Sequence, residues 1–549
     1  MNNKHKILTQ IKDFIECDSS KMWFFTIAIA LMVMSIRYFL PQLISNEMVY
    51  LITPRRLIDY SYLSSDWAWG EFKIPMAPLY ALYCSFFWLI SSDYVVVALL
   101  TRFLLWILLL YSIYSVAHQL KISPFFTLFG IFLYCYTFQK IAAGEWIVGG
   151  GEQKVLAYSL LFLALSSLLQ NKIVVSGIYS GLASLSHILV GGYGIIAIFI
   201  TLTILYFFKH YSFKNILHYF LSIIPFCLPA LFIAISHLFT PGQTNNIPVN
   251  SIDINQLIVT FRNPHHLDPF YFFTQKRVVV LIVFSFSLCI ALFQIEDQKK
   301  RNILLLFLGV LFSFFMLGCL CRYINLFLIL KYFPFRVADT LIPFFFWLVI
   351  PTYAYKNLIK GSQLFSLRFH NIFSLLLICL IARYLITTTI PNFINASKTF
   401  SNSWYNLISK SESESETTRK KVVSWIKEQT NTSDVFIANP FWYSFWLETD
   451  RPMVLNFKDS PYNLRFANWY FRLKALNNDK EFEKSGYYII ENVNKNFNEL
   501  STKQLQKILN LFNGRYYIVD KDREDLSNLL VYNNDKYWIY DVNLLNELE

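Results

Sequence analysis

Two carboxylates and two adjacent arginines stand close together near the start of this chain, in a combination of residue types that could do chemistry. Asp59 and Asp66 lie seven positions apart, and Arg55 and Arg56 precede them. A carboxylate at this place could accept a proton from a hydroxyl or help to hold a divalent cation. Paired guanidinium groups are suited to bidentate contact with a phosphate or pyrophosphate. The alternative is an interfacial helix whose charged residues face water, anchored by Trp67 and Trp69.

A second candidate lies in the glycine-rich segment 144–154. Three consecutive glycines occupy positions 149 to 151, and Glu145 and Glu152 flank them. Glycine allows the backbone to bend sharply or to approach a ligand closely. The segment therefore predicts a substrate contact, and a flexible connector between two spans explains the pattern equally well.

Three further places carry ionisable residues beside apolar segments, where charge is costly and often functional. His187 ends an apolar run and could hydrogen-bond a phosphate or transfer a proton. Arg336 and Asp339 stand at the start of another run, where the arginine could neutralise a phosphate or simply pair with the aspartate. The segment 261–268 adds three substrate-binding candidates, which are Arg262, His265 and His266. Adjacent histidines rarely bind one metal together, so this segment favours substrate contact or a solvated loop.

The elements that must position these residues are membrane helices. Of 549 residues, 55% are hydrophobic and only 15% are charged, against roughly a quarter in a soluble chain. Apolar runs such as 94–117, 216–239 and 302–320 have about the length that crosses a bilayer. We predict a polytopic α-helical membrane protein with about eleven spans, within two either way. Residues 76–117 read as two hydrophobic helices divided at positions 91 to 93, but the charge pattern requires one net crossing there, which favours a re-entrant or interfacial position for one of the two.

Charge divides the chain into regions. Residues 392–549 carry 20 Lys and Arg against 21 Asp and Glu, whereas the preceding 391 residues carry 28 against 15. The basic residues of the first part lie mostly in short connections, as the positive-inside rule expects, so they argue for topology and against nucleic-acid binding. We predict a cytoplasmic N-terminus (1–21), a multi-span domain (22–391) with an extracytoplasmic loop (42–75), and an extracytoplasmic domain (392–549). None of the eight cysteines falls in a disulfide or zinc-ligand pattern.

The C-terminal region reads as a small α/β soluble domain. Amphipathic periodicity predicts helices over 416–430, 464–476 and 502–512. Short runs of β-branched and aromatic residues predict strands at 435–438, 453–456, 516–519, 529–532 and 537–542.

The whole pattern resembles the GT-C superfamily of polytopic glycosyltransferases. The resemblance lies in one span followed by a long acidic loop with Asp59 and Asp66, then Pro75-Met76-Ala77-Pro78. It also lies in the run Val422-Val423-Ser424-Trp425-Ile426-Lys427-Glu428-Gln429-Thr430, which looks like the extracytoplasmic domain of uncharacterised bacterial members.

The resemblance implies an enzyme of the bacterial inner membrane. Such an enzyme takes a sugar from a polyprenyl-phosphate carrier and transfers it to a glycan or lipid acceptor outside the cytoplasm. The catalytic role would fall to Asp59 or Asp66. The loop has no tight pair of acidic residues, which leaves a metal cofactor unknown, with Mg²⁺ or Mn²⁺ compatible. An O-antigen-type polymerase or ligase, or a lipid or polysaccharide transporter, is the alternative.

Overall fold

A computed structural model describes residue 10 and residues 12–70, 74–238, 253–359, 365–409 and 414–545. Within these ranges the chain is mainly helical. Eight helices are long and apolar enough to cross a membrane, and all of them lie before residue 409. Their bounds are Ser20–Tyr38, Tyr94–Gln119, Ile188–Phe207, Phe213–Leu238, Gln275–Leu292, Gln298–Tyr323, Arg336–Ile359 and the continuous stretch Ile372–Ile408. The chain is an integral multi-pass membrane protein.

Four shorter helices are also apolar, and they span Pro78–Ile90, Pro124–Tyr136, Gln153–Leu169 and Ile173–Ser186. The predicted division of 76–117 is confirmed, because the chain leaves the first of these helices at Ser91 and re-enters helix at Tyr94. Proline occupies the first turn of Pro78–Ile90 and of Pro124–Tyr136, where its missing N–H has no helical partner to lose. The long and short apolar helices together are compatible with the predicted span number.

Short helical segments connect these elements. They are Glu47–Tyr50, Ile52–Ile58, Ile254–Gln256, Pro264–Leu267, Pro269–Phe272 and Phe327–Leu330, with π-helical turns at Leu257–Arg262 and Leu385–Thr389. Aspartate side chains cap several helix starts, for example Asp253, Asp268 and Asp297, each accepting from backbone N–H groups of the first turn.

The described chain divides into two compact units. Unit 1 comprises residues 1–40, 99–232 and 265–402, and unit 2 comprises 41–98, 233–264 and 403–549. The predicted loop 42–75 thus belongs to the same unit as most of the predicted C-terminal domain. The proposed domain boundaries at 21 and 391 stay predictions.

The centre of unit 1 is the Arg336–Ile359 helix, which is buried along its spanning length. Phe344 of this helix packs on Phe162 of Gln153–Leu169 with ring centroids 4.6 Å apart. The Tyr158 and Thr340 hydroxyls of the same two helices hydrogen-bond at 2.8 Å. This pair of helices supports the polar residues that follow.

Unit 2 contains a four-stranded sheet in the order β1-β2-β4-β3, formed by β1 (Val435–Ile437), β2 (Gly514–Val519), β3 (Leu530–Asn533) and β4 (Trp538–Asp541). β1 and β2 are parallel, and the other neighbours are antiparallel. The C-terminal part of this unit also contains the α-helices Glu414–Gln429, Phe445–Thr449, Phe466–Leu476, Ile490–Asn498 and Thr502–Phe512. Its 3-10 turns are Gly486–Ile489, Glu524–Leu529 and Val542–Leu544.

The predicted α/β character of this region is confirmed, and one strand is wrong. Residues 453–456 make a single parallel bridge, between Met453 and Phe436, and then leave the sheet. The Asn456 side chain donates to the Tyr443 carbonyl, so the chain turns into a loop instead of continuing the ladder.

Candidate functional site

Ionisable residues from four separate segments of unit 1 meet in one buried group. The sequence nominated six of them and suggested a pairing only between Arg336 and Asp339. This group, called the Glu145 cluster below, consists of Glu145, Glu152, Lys154, His187, His266, Arg336 and Asp339.

Glu145 lies at the centre of the Glu145 cluster and is 2% exposed. Arg336 Nε donates to its Oε1 at 2.8 Å, Lys154 Nζ lies 3.4 Å from Oε2, and His266 Nδ1 lies 3.8 Å from Oε1. Burial raises the pKa of Glu145, but Arg336, Lys154 and His266 outweigh burial and hold that pKa well below its usual range. Glu145 is therefore ionised.

The segment that carries Glu145 is held by side chains that bind its backbone. The Asp339 carboxylate accepts from the N–H groups of Ile141 at 3.2 Å and Ala142 at 2.7 Å. The Gln139 side-chain oxygen accepts from Val148 N–H at 2.7 Å, and its amide nitrogen donates to the Val148 carbonyl. Irregular backbone between apolar helices is thus satisfied internally, as a membrane protein requires.

Gly144 explains part of the glycine-rich pattern. Its φ is +76°, a conformation that L side chains rarely adopt, and a Cβ there would lie 3.0 Å from His266 Nδ1. His266 Nδ1 lies 2.5 Å from the Ala143 carbonyl oxygen and must carry a proton to donate to it. Burial lowers the pKa of His266 to about 4. The imidazole is therefore neutral near pH 7.

His187 is also neutral, and it contacts the guanidinium group. It occupies the N-cap position of the helix Ile188–Phe207, and Arg336 Nη1 lies 3.0 Å from its Nε2. Burial, followed by the charge of Arg336, lowers the pKa of His187 to about 3. A neutral ring accepts a hydrogen bond only through the nitrogen that carries no proton, so accepting from Arg336 at Nε2 places the ring proton on Nδ1, and the Val190 N–H, 3.4 Å from Nδ1, does not donate to it. His187 and Glu145 together thus fix the guanidinium plane.

Lys154 is the member of the cluster that sequence reasoning did not select. Its Nζ bridges Glu145 and Glu152, at 3.4 Å from each, and lies 3.7 Å from the centre of the Trp146 ring. The available signal was a single lysine in the first turn of an otherwise apolar helix.

In unit 2, the arginines of the first loop differ in their contacts. Arg55 is paired, since its Nη1 donates to Asp450 at 2.7 Å and its guanidinium lies 3.8 Å from the Tyr62 ring centre. Arg56 is 5% exposed, yet its Nε and Nη2 are buried without a hydrogen-bond partner in the described part of the chain. Burial lowers the pKa of Arg56. The charges of neighbouring residues raise that pKa in part, and Tyr60 makes the largest contribution among them.

The two aspartates of this loop are also unlike each other. Asp59 is exposed at the end of the Ile52–Ile58 helix, where its Oδ1 accepts from Ser61 N–H at 3.0 Å. Asp66 is 2% exposed, and its oxygens accept from Trp446 Nε1 at 2.8 Å and from Met453 N–H at 3.1 Å. Burial raises the pKa of Asp66 although these N–H groups lower it. In unit 2, Asp66 thus attaches the first loop to the C-terminal region.

The remaining candidates from 261–268 are divided between the units. Arg262, in unit 2, is buried and lies 4.2 Å from the Phe457 ring centre while donating to Asn263 at 3.2 Å. His265, in unit 1, is half-buried with its ring 4.1 Å from that of His266. In unit 1, His266 contacts Glu145.

Two acidic residues of unit 2 were missed. Glu47 is wholly buried in the first loop, and its Oε2 accepts from Ile44 N–H at 2.8 Å. The signal was one acidic residue in an apolar stretch after the first span. Asp459 has a pKa raised to about 7, by burial first and by the charge of Asp66 second. No sequence pattern pointed to it.

In the described ranges no three His, Cys, Asp or Glu side chains are grouped so that they could hold a metal ion. No step proposed below passes through one.

Comparison with known proteins gives limited sequence similarity and several similar structures. Residues 418–476 match a family model described as a domain of unknown function, DUF6798. No curated protein matches the chain.

Among solved structures, the chain is similar to the oligosaccharyltransferase AglB of Archaeoglobus fulgidus in complex with an inhibitory peptide and a dolichol-phosphate. The identity is 13%, the TM-score is 0.49, and the match covers 91% of this chain and 69% of that one. ArnT of Cupriavidus metallidurans, bound to undecaprenyl phosphate, is 10% identical with a TM-score of 0.43, over 95% of this chain and 98% of that one. An A. fulgidus oligosaccharyltransferase in complex with Zn and sulfate is 14% identical with a TM-score of 0.43, over 90% and 68%.

Since each TM-score is below 0.5, the functional proposal rests on the chemistry of the residues described above.

Proposed function

We propose that this chain is a membrane glycosyltransferase that moves a sugar from a polyprenyl-phosphate carrier to a glycan or lipid acceptor. The observation that carries the proposal is the buried guanidinium of Arg56, three residues before the exposed carboxylate of Asp59. A buried guanidinium with two nitrogens that lack a hydrogen-bond partner is costly, and an anionic ligand that accepts from them would remove that cost.

Arg56 is the best placed of the three arginines that the sequence nominated for phosphate. Arg55 is committed to Asp450 and Arg336 to Glu145, at 2.7 Å and 2.8 Å. A phosphate would have to displace a carboxylate from either of these, whereas at Arg56 two N–H-bearing nitrogens are unpaired in the described chain. A phosphate oxygen accepts charge-assisted hydrogen bonds of this kind.

Asp59 is the better candidate for the base. A general base must reach the hydroxyl whose proton it takes, and Asp59 is exposed, whereas both oxygens of Asp66 already accept protein N–H groups. In the proposed step the acceptor oxygen attacks the anomeric carbon of the sugar. Asp59 takes the hydroxyl proton, the bond from that carbon to the carrier phosphate breaks, and Arg56 stabilises the phosphate that leaves.

The Glu145 cluster of unit 1 would serve as a second polar element at membrane depth. Buried charged groups between apolar helices are commonly retained where a substrate passes or binds. We further propose that the N-terminus is cytoplasmic, that the C-terminal domain is extracytoplasmic, and that the chain resides in a bacterial cytoplasmic membrane, as the positive-inside pattern indicates.

The test is sugar release from a radiolabelled polyprenyl-phosphate donor by the purified full chain. We expect Asp59→Asn to lower turnover by about 10²–10⁴-fold, the usual contribution of a general base. Arg56→Gln should lower kcat/KM by about 10²–10³-fold, as the loss of one oxyanion donor does. Asp66→Asn and Glu47→Gln report on the other carboxylates of the loop.

Asp93→Asn is the matched control, because Asp93 is also an exposed aspartate of unit 2 whose Oδ1 accepts a local backbone N–H. Arg277→Gln is the arginine control, since Arg277 donates only to a nearby carbonyl, that of Phe272. Turnover that survives both Asp59→Asn and Arg56→Gln would refute the assigned roles. No turnover with any donor would favour the polymerase or transport alternative.

A further inference from the structure

The C-terminal part of unit 2 contains a cavity of about 290 Å³ that plays no part in the proposed reaction. It lies at the carboxyl ends of β1 and β2, the two parallel strands. Asn439 follows β1 by two residues and Asp520 follows β2 directly, and both line the cavity. In open α/β sheets this edge is where ligands bind, because the connecting loops diverge there.

One wall of the cavity is aromatic and fixed in orientation. The rings of Trp442 and Tyr537 are nearly parallel, with centroids 5.9 Å apart and an interplanar angle of 30°. Trp442 Nε1 donates to Glu448 at 2.9 Å, and the Arg419 guanidinium lies 4.5 Å from the Trp442 ring centre. The π face of such a ring is electron-rich and attracts polarised C–H groups.

Polar side chains also line the cavity. Asn439 donates to the Asn494 side-chain oxygen at 2.9 Å, which orients the Asn494 amide. Asp520 accepts from Asn498 through one oxygen. Asp520 is exposed and Asn494 and Tyr537 are half-buried, and each of the three lines the cavity with a polar group.

The charges at the cavity argue against an anionic ligand. Arg419 is engaged by both oxygens of Glu448, each at 2.9 Å, so its charge is neutralised. Asp520 and Lys536 are both exposed and line the cavity with one charge of each sign. A neutral ligand with many hydroxyls and one apolar face fits this balance. The volume is near the lower end of roughly 300–1,000 Å³ for drug-sized ligands, which suits a single ring.

We infer that this cavity is a saccharide-binding site that takes one neutral pyranose unit. The C–H face of the ring lies on Tyr537, since Arg419 already lies over the Trp442 ring, while Asp520 and Asn494 hydrogen-bond its hydroxyls. The inference does not depend on the proposed transfer reaction, since binding here requires no donor and no residue of the first loop.

The experiment is saturation-transfer difference NMR on the full chain in lipid nanodiscs. The probes are the methyl pyranosides of glucose, galactose, mannose and N-acetylglucosamine, and sorbitol is the control polyol, which has hydroxyls but no ring face. We expect at least one pyranoside to bind with a Kd in the millimolar range and sorbitol to give no transfer.

Two variants locate the binding. Asp520→Asn and Tyr537→Ala should each weaken it about tenfold, since one charge-assisted hydrogen bond or one ring face is lost. Tyr488→Ala removes an exposed aromatic ring outside the cavity and should change nothing. Saturation transfer that both cavity variants leave intact, equal transfer to sorbitol, or none from any pyranoside would each overturn the inference. Sugar turnover, measured in parallel, tests the transfer reaction separately.

Discussion

In unit 1 the buried carboxylate of Glu145 lies against cations, whereas in unit 2 the buried carboxylate of Asp66 accepts hydrogen bonds from uncharged N–H donors. The consequence appears in the pKa of each group. Arg336 and Lys154 outweigh burial and hold the pKa of Glu145 below its usual range, but burial dominates at Asp66 and raises its pKa. Opposite charges offset desolvation more fully than hydrogen bonds from neutral donors do.

The Glu145 cluster and Arg56 also differ in what they leave unpaired. Each ionisable residue of the Glu145 cluster has a polar partner within unit 1, so that cluster is largely satisfied without a ligand. In unit 2 the buried Arg56 has two unpaired nitrogens in the described chain. A hydrogen-bond network whose groups are all paired stabilises the fold. A ligand gains the most binding free energy where it pairs a group that the protein leaves unsatisfied.

The sharpest test of the comparison is Glu145→Gln. It removes the charge that Arg336 and Lys154 share and leaves two buried cations with weakened pairing, so we expect a loss of about 3–5 kcal/mol in unfolding free energy. Thermal unfolding in detergent should show a large drop in Tm. A double variant with Arg336→Gln should lose less than the two single losses combined, and strict additivity would argue against coupling.

Asp66→Asn is the corresponding change in unit 2, with a smaller expected effect. An asparagine keeps one acceptor oxygen but directs an NH₂ group toward a donor, which costs about 2 kcal/mol for the buried contact that is lost. The same unfolding assay compares the two variants. A loss as large as that of Glu145→Gln would mean that neutral donors stabilise a buried carboxylate as strongly as cations do.

The pH dependence should have opposite signs in the two units. The pKa values of His187 and His266 are lowered from 6.5 to about 3 and about 4, so the unfolded imidazoles take up protons first as pH falls. Unit 1 should therefore lose stability below about pH 6.5, by up to about 1.4 kcal/mol per pH unit for each histidine.

Asp459 acts in the other direction. Its pKa is raised from 3.8 to about 7, so ionisation favours unfolding and unit 2 should lose stability as pH rises across that interval. Hydrogen exchange, corrected for intrinsic rates, separates the units by peptide. Segment 140–150 should lose protection toward acid and segment 455–470 toward neutral pH. Slopes of equal sign, or a slope in unit 1 that His266→Gln leaves unchanged, would contradict this.

Gly144→Ala is the smallest expected effect, and it sharpens the account of unit 1. The substitution places a Cβ at positive φ, 3.0 Å from His266 Nδ1, and should cost about 1 kcal/mol. Gly192→Ala is the matched control, because a Cβ there meets no atom within 4 Å. Equal unfolding temperatures for the two variants would show that Gly144 is not constrained.

The sequence predicted correctly the helices and strands that depend on residues close together in the chain. The Thr502–Phe512 helix has the predicted bounds because a serine cap and an amphipathic pattern define it. The predicted strand at 453–456 was wrong, since whether a short apolar run joins a sheet depends on partners elsewhere, here on Phe436 and on the contact of Asn456 with Tyr443.

The candidate functional residues show the same difference between what depends on nearby residues and what depends on long-range contacts. Residue type and an apolar setting were enough to nominate Glu145, His187 and Arg336 individually, because ionisable groups beside membrane helices are rare and costly. That the three meet, and that Lys154 joins them, depends on contacts 9 to 191 residues apart in the chain. Such contacts leave no periodic signal in the sequence.

What the sequence by itself determined is the membrane class, the span-forming helices and the α/β character of the C-terminal region, since composition and periodicity act over a few turns of chain. Only the tertiary structure decided which charges are paired. Arg55 and Arg56 are neighbours of identical type, yet one binds Asp450 and the other is buried with unpaired nitrogens in the described chain. Burial and pairing are properties of the packed environment, and adjacent residues in one helix face different environments.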